Sequence, residues 1–247
     1  MSVKKLLVLG AATVAVMGAT VAMAGGPDHM AMASAPGFEN SVYVDLHGGW
    51  AQSNWDDFNA NNVLGVNSTA TSVFNVDSRG DGYWTAGADL GYNITQHIAV
   101  EAGWFYIPKV GGTALGAVTP GTITTSGSAS VKSWFAYTAA KLSVPVMDNF
   151  DLFGKIGVAY RTLDYSLSNT ATVNATTLNS VTGNGHYWAP VFGAGLQYNW
   201  GNWMLGAQYM FLPANTKVNY ANTAFGAPDA APAVNLYTGF VGYKFNV

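Results

Sequence analysis

Charged side chains are so sparse in this chain, 10 Lys and Arg and 13 Asp and Glu among 247 residues, that each can be weighed singly. Asp45, Asp89, Glu101, Lys141, Lys155 and Lys244 each stand alone in an apolar or small-residue segment. A lone charge in such surroundings is costly, but three acids and three lysines brought face to face neutralise one another. Ion pairing rather than catalysis is therefore their expected chemistry. His47, His97 and His186 are the other candidates, because a histidine acts as a general base when a nucleophile and an orienting group lie beside it. No recognisable motif surrounds His186, and Ser and Thr are so abundant that chance neighbours are expected; His47 reads as a packed residue and His97 as a turn residue. The run Asp28-His29-Met30-Ala31-Met32 offers soft ligands to copper, yet one His and two Met read more simply as linker. The chain has no cysteine and no Walker, zinc or EF-hand pattern. No catalytic residue, metal ligand or cofactor is expected.

The elements that position these residues are not those of an ordinary soluble domain. The composition is 49% hydrophobic and 13% aromatic but only 9% charged, against about 25% charged in a typical soluble domain. A net charge of −3 with no basic block beyond the first residues excludes a nucleic-acid partner. Residues 1–24 read as an export signal, with Lys4 and Lys5, an apolar run from Leu6 to Met17, and the small-x-small site Ala22-Met23-Ala24. Residues 25–40 are then a periplasmic N-terminal segment, and residues 41–247 the folded domain. No later stretch of about 18 apolar residues occurs, so a membrane-spanning helix is excluded and only strands could cross a bilayer.

From Ser41 onward, eight segments alternate apolar and polar or small residues, the mark of β-strands. In the clearest, Ile98, Val100, Ala102, Trp104 and Tyr106 alternate with Ala99, Glu101, Gly103 and Phe105. The connections alternate as well. Asn93–Gln96, Ser143–Asn149 and Asn199–Asn202 are short, whereas Gln52–Arg79, Ile107–Ser130, Thr162–Asn184 and Leu212–Ala233 are long. Short turns at one end and long loops at the other describe an eight-stranded antiparallel barrel with one-sided architecture.

Three features put the apolar face outside, against lipid. The isolated charges share a face with Gly and Ala, which suit a crowded interior. Aromatic residues cluster near both ends of the other face: Trp50, Trp84, Trp104, Tyr106, Trp134 and Tyr209 towards the long loops, Tyr92, Tyr198, Trp203 and Tyr243 towards the short turns. They suit two interfacial girdles. Finally, neither face carries the many Lys and Glu that a soluble barrel shows to water. Arg at Val100 or Ala136 is then expected to disturb insertion, while Ser at Thr85 or Gly103 is expected to matter little.

The segment Phe153-Gly154-Lys155-Ile156-Gly157-Val158-Ala159-Tyr160-Arg161 and the ending Val241-Gly242-Tyr243-Lys244-Phe245, together with strand count and loop asymmetry, resemble the eight-stranded OmpA-type outer-membrane barrel superfamily over Ser41–Val247. The resemblance implies an all-β transmembrane barrel in the bacterial outer membrane, with short periplasmic turns and long extracellular loops. The ending resembles the terminal strand signal read by the barrel insertion machinery, with Tyr243, Phe245 and Val247 as its residues, although Asn246 and Val247 follow the last aromatic. A periplasmic peptidoglycan-binding domain, found in longer members, is not expected.

Eight strands enclose an interior just wide enough for side chains, so Asp45, Asp89, Glu101, Lys141, Lys155 and Lys244 are expected to form a lumenal ion-pair network in its periplasmic half. Glu101 and Lys155 should belong to it, both sitting about five residues above a short turn. The Thr-, Ser-, Asn- and Gly-rich stretches Thr119–Ser130 and Leu167–Thr182 either extend the barrel as hairpins or stay mobile, and Asp56, Asp57, Asp77, Arg79 and Asp81 charge the first loop. The expected protein is a non-enzymatic monomer among outer-membrane lipids and lipopolysaccharide, structural and adhesin-like, with a host-surface ligand for its loops. The alternatives are a narrow path for small or hydrophobic solutes, as the resemblance to OmpW-type barrels implies, and a lipid A modifying enzyme.

Overall fold

Each alternating segment forms one antiparallel strand: β1 (Ser41–Ser53), β2 (Tyr83–Asn93), β3 (Ile98–Val118), β4 (Ile123–Met147), β5 (Phe150–Asn169), β6 (Val181–Trp200), β7 (Trp203–Leu212) and β8 (Val234–Asn246). The computed structural model describes residues 41–53, 70–76, 82–118, 123–169, 171–173, 176–178, 181–215, 218–221 and 231–246, and among these there is no helix. Residues 1–40, the loop charges Asp56, Asp57, Asp77, Arg79 and Asp81, and Val247 lie outside the described residues.

Every strand pairs with its successor, and β8 returns to β1 through all thirteen residues of that strand, from Ser41 opposite Asn246 to Ser53 opposite Val234. Closure leaves no free edge in the membrane, where an unpaired backbone amide has no water to bond. The strands are strongly staggered. A line across the sheet from Asp45 passes Asp89, Gly103, Tyr137, Ala159 and Ala189, and then runs off the loop end of β7. This stagger is the tilt a small barrel needs to close.

The turns at one end are tight for identifiable reasons. Gly201 has φ 59° between the paired Trp200 and Trp203, and Asn149 takes φ 62° between β4 and β5, a left-handed conformation that Gly and Asn adopt most cheaply. At the third turn the Thr95 hydroxyl accepts from the backbone N–H of His97 (3.2 Å) and of Ile98 (3.0 Å).

At the other end the structure departs from the sequence-based boundaries. The described residues of spans 107–130 and 162–184, taken as long connections with hairpin extension as one alternative, are largely strand. β3 to β6 have 20 to 25 residues each, whereas crossing a bilayer takes about 9–11. The surplus extends the sheet roughly 30 Å beyond the membrane. A short strand from the first long connection, Ala70–Val76, pairs with Gly112–Val118 of β3, and another from the last, Asn219–Ala221, pairs with Asn184–His186 of β6. The β3–β4 pairing continues through these residues to Val118 opposite Ile123. The register slips once in this hairpin, between Ile107 and Val110, where Pro108 has no N–H for the ladder.

Side chains alternate as the period requires. Outward residues such as Leu46, Leu90, Val100, Leu142, Ile156, Leu196 and Val241 are exposed, Leu46 and Ile156 by 61% each; on a soluble protein this belt would be an extreme apolar patch. Rings flank it. Trp84 meets Tyr106, Trp134 meets Tyr160, and Tyr160 meets Trp188 towards the loops; Phe150 meets Tyr198 and Trp203 meets Tyr243 towards the turns.

Inside, large side chains lie over glycines of adjacent strands. A Cβ at Gly91 would overlap the Tyr43 ring, at Gly242 the Asp45 carboxylate, at Gly206 the Phe240 ring, and at Gly103 both Asp89 and Tyr137. The last contact corrects the expectation that Gly103 tolerates Ser, because the space opposite Gly103 is already filled. Thr85 is different: its hydroxyl donates to the carbonyl of Tyr106, and Ser keeps that donor. Arg at Val100 or Ala136 should cost about 2–4 kcal/mol near the bilayer midplane and reduce the yield of heat-modifiable folded barrel. On the same gel-shift assay Gly103→Ser should also lose yield, and Thr85→Ser should match the parent.

Candidate functional site

Two like-charge pairs face each other across the lumen. Asp45 lies directly opposite Asp89 on β1 and β2, and Lys141 directly opposite Lys155 on β4 and β5, all four inward and buried. Like charges opposed on one sheet face repel, so neither pair would be favourable on an open sheet. Closing the barrel brings them together, with Glu101 of β3 between. Lys155 Nζ lies 2.5 Å from Glu101 Oε2 and 3.2 Å from Asp89 Oδ2, and Lys141 Nζ lies 3.2 Å from Glu101 Oε1. The Tyr43 hydroxyl donates to Glu101 Oε1 at 2.5 Å. Glu101 is fully buried and is held by three side chains, Lys155, Lys141 and Tyr43.

Of the residues expected from sequence, Asp89, Glu101, Lys141 and Lys155 are thus joined directly. Asp45 stands beside them, with its Oδ1 lacking a hydrogen-bond partner among the described residues. Lys244 is drawn to the periplasmic end instead, where it donates to Asn199 Oδ1 at 2.7 Å. Asn199 continues to Asp151 (2.6 Å), and Gln197 accepts from Lys141 at 3.0 Å while donating to Asn199 at 2.8 Å. A polar chain therefore runs from the buried cluster towards the turns. His47, read from sequence only as a packed residue, belongs to the cluster: its Nε2 lies 3.0 Å from Asp89 Oδ2, its Nδ1 lies 3.1 Å from Gln208 Nε2, and its ring sits between Phe105 and Phe240. Its inward parity beside Asp45 was the available signal.

Above this layer the lumen is apolar. Phe105, Phe135, Met210, Leu212, Val234 and Leu236 are completely buried there, and Phe105 stacks on Phe135 with centroids 5.5 Å apart. Arg161 follows towards the loops, also fully buried. It donates from Nε to Ser133 Oγ (2.9 Å) and from Nη1 to Tyr187 Oη (3.0 Å) and the Pro232 carbonyl (2.6 Å). The last bond fastens the β7–β8 connection, whose Val218 and Ala231 pack with Val110, Val131 and Leu163. These inward aromatic and aliphatic layers were not anticipated from sequence, because a Phe on the charged parity carries no sign of whether it meets water or other rings.

The remaining histidines lie elsewhere. His97 is exposed in its turn, with Nδ1 3.2 Å from the Ser143 carbonyl, and His186 is exposed on the outer surface against the Tyr160 ring. On the closing strand, the outward rings of Tyr243 and Phe245 contact each other, with centroids 4.9 Å apart.

A closed eight-stranded barrel, apolar outside, ringed with aromatics at both ends and carrying its charges within, is an outer-membrane protein of bacteria. The chain belongs to the OmpA-like transmembrane domain family, whose model matches residues 38–246. Among solved structures it is similar to the outer membrane protein OprG from Pseudomonas aeruginosa, at 14% identity over 85% of this chain and 98% of that one with a TM-score of 0.46. It is also similar to the N-terminal β-barrel domain of Pseudomonas aeruginosa OprF (12% identity, 84% and 98% covered, TM-score 0.44). A third similar structure is Ail, the attachment invasion locus protein of Yersinia pestis (14%, 84% and 99%, 0.40). No curated protein sequence matches the chain.

Removing one member of a buried pair strands its partner, at about 3–5 kcal/mol. Glu101→Ala and Lys155→Ala should each lower the urea midpoint of the detergent-folded barrel markedly, and the double variant should cost less than the two single losses together. Arg161→Leu should leave the barrel folded but release Pro232, seen as faster proteolysis within residues 213–233.

Proposed function

We propose that this barrel works without catalysis or conduction, as a closed scaffold that displays the extended strands β3 to β6 at the cell surface for interaction with other cells or matrix. The observation that carries this reading is the double seal of the lumen. The ion-paired layer around Glu101 fills the periplasmic half, and the layer of Phe105, Phe135, Met210 and Leu236 fills the next. A solute path would need both layers to part at once. Catalysis would need a histidine beside a reachable nucleophile, whereas His47 is shut in the lumen and His186 faces outward against a tyrosine ring. The surface reading draws instead on the sheet that rises beyond the membrane, since binding commonly resides on segments held by a rigid scaffold. Outer-membrane lipid and lipopolysaccharide are the partners of the apolar belt. Tyr243 and Phe245, with Val247, serve as the terminal signal for the insertion machinery.

Conductance and surface binding both test this. Purified barrel in planar bilayers should give no steady unitary currents, and liposomes containing it should not swell in small sugars. Cells displaying the protein should bind host cells or extracellular matrix, and deleting residues 112–127, the tip of the β3–β4 hairpin, should abolish that binding while the barrel still folds. Steady currents, or binding indifferent to every loop deletion, would overturn the proposal.

A further inference from the structure

Lys155 and His47 both attend to Asp89, and Lys141 and Lys155 both attend to Glu101, whereas Asp45 has no such partner in hand. Its side chain is 1% exposed, and Oδ1 has no hydrogen bond from any described residue. Yet Asp45 is aimed at the same point as its neighbours: one ligand atom each from Asp45, His47 and Asp89 lie within 4.8 Å of one another. Two carboxylates and an imidazole are a donor set for a borderline divalent ion, above all zinc, which takes three protein ligands and leaves a fourth position open.

We propose that Asp45, His47 and Asp89 form a binding site for one zinc-type divalent cation inside the lumen. The surroundings are built for it. Gly242 and Gly103 lack the Cβ atoms that would occupy the places of the Asp45 and Asp89 carboxylates. A histidine that binds metal through Nε2 is normally oriented by an acceptor at its other nitrogen. Gln208 stands at His47 Nδ1, at 3.1 Å, and its Oε1 is buried without a partner, so turning that amide supplies the acceptor. The separation of His47 Nε2 and Asp89 Oδ2, 3.0 Å, approaches the roughly 3.3 Å between two ligands of a tetrahedral zinc ion. Lys155, 3.2 Å from Asp89 Oδ2, offsets part of the charge on Asp89, while Asp45 Oδ1 has no hydrogen-bond partner among the described residues. The apolar layer closes the site to the outside, while the chain Lys141, Gln197, Asn199 and Asp151 leads towards the periplasmic end. The ion therefore enters from that end or is enclosed as the barrel folds.

The chain contains four histidines, so the triple variant His29→Gln/His97→Gln/His186→Gln isolates His47. This full-length variant is refolded in detergent with and without zinc chloride, and folding is checked by heat-modifiable mobility. It should take up one zinc per barrel and unfold at a higher temperature when loaded, and cobalt in place of zinc should give the intense visible absorption of a four-coordinate site. Adding Asp45→Asn should weaken zinc uptake more than about tenfold, with His47→Gln as the second probe should that variant not fold. Absence of saturable uptake by the folded triple variant, or uptake unchanged by Asp45→Asn, would overturn the proposal. The result is independent of surface binding, which involves other residues.

Discussion

The constraint on which the structure turns is that its sheet carries like-charge pairs that closure brings face to face. Asp45 and Asp89 repel across β1 and β2, and Lys141 and Lys155 repel across β4 and β5. On a flat sheet each pair would oppose its own hairpin. In the barrel Lys155 of β5 reaches both Asp89 of β2 and Glu101 of β3, and Lys141 joins Glu101 from the adjacent strand. The same interior is too narrow to hydrate the charges, so geometry must supply what water would. Tyr43, Gln197 and His47 are recruited to that task. Breaking such a buried arrangement is costly even where forming it contributes little net stability, so a register that leaves one member unpaired is penalised.

Packing around the network follows the same logic of complementary size. The Tyr43 ring, the Asp45 carboxylate and the Phe240 ring each project over a glycine of a neighbouring strand. The glycines, which look like a weakness in strands, are the room into which the functional side chains fold. Above them lies the apolar layer around Phe105 and Phe135, and Arg161 uses neutral acceptors, including the Pro232 carbonyl just before β8. The interior thus changes from ionic to apolar to hydrogen-bonded along its axis.

Much of the barrel is legible in the sequence, because hydrocarbon and a packed lumen impose opposite demands on successive residues. The parity of Val100 against Glu101 and of Ile156 against Lys155 reads directly as outside and inside, and Asn149 and Gly201 mark turns by their backbone freedom. Alternation is a weaker guide beyond the membrane, where the described residues of spans 107–130 and 162–184 are largely strand, the hairpin extension that Thr119–Ser130 and Leu167–Thr182 left open. It also missed the weight of Phe105, Phe135 and Met210, whose inward parity says nothing about what lies opposite. The tolerance expected for Ser at Gly103 failed for the same reason.

Sequence alone determined the class, the eight strands, the sidedness of the connections and the face each residue presents, since these depend on local period and on the solvent each face meets. Only the tertiary structure decided which inward residues touch. That choice depends on the stagger with which the sheet closes, and stagger is a property of the whole ring. It joined His47 to Asp89, sent Lys244 to Asn199, and left Asp45 beside the cluster without a hydrogen bond at Oδ1.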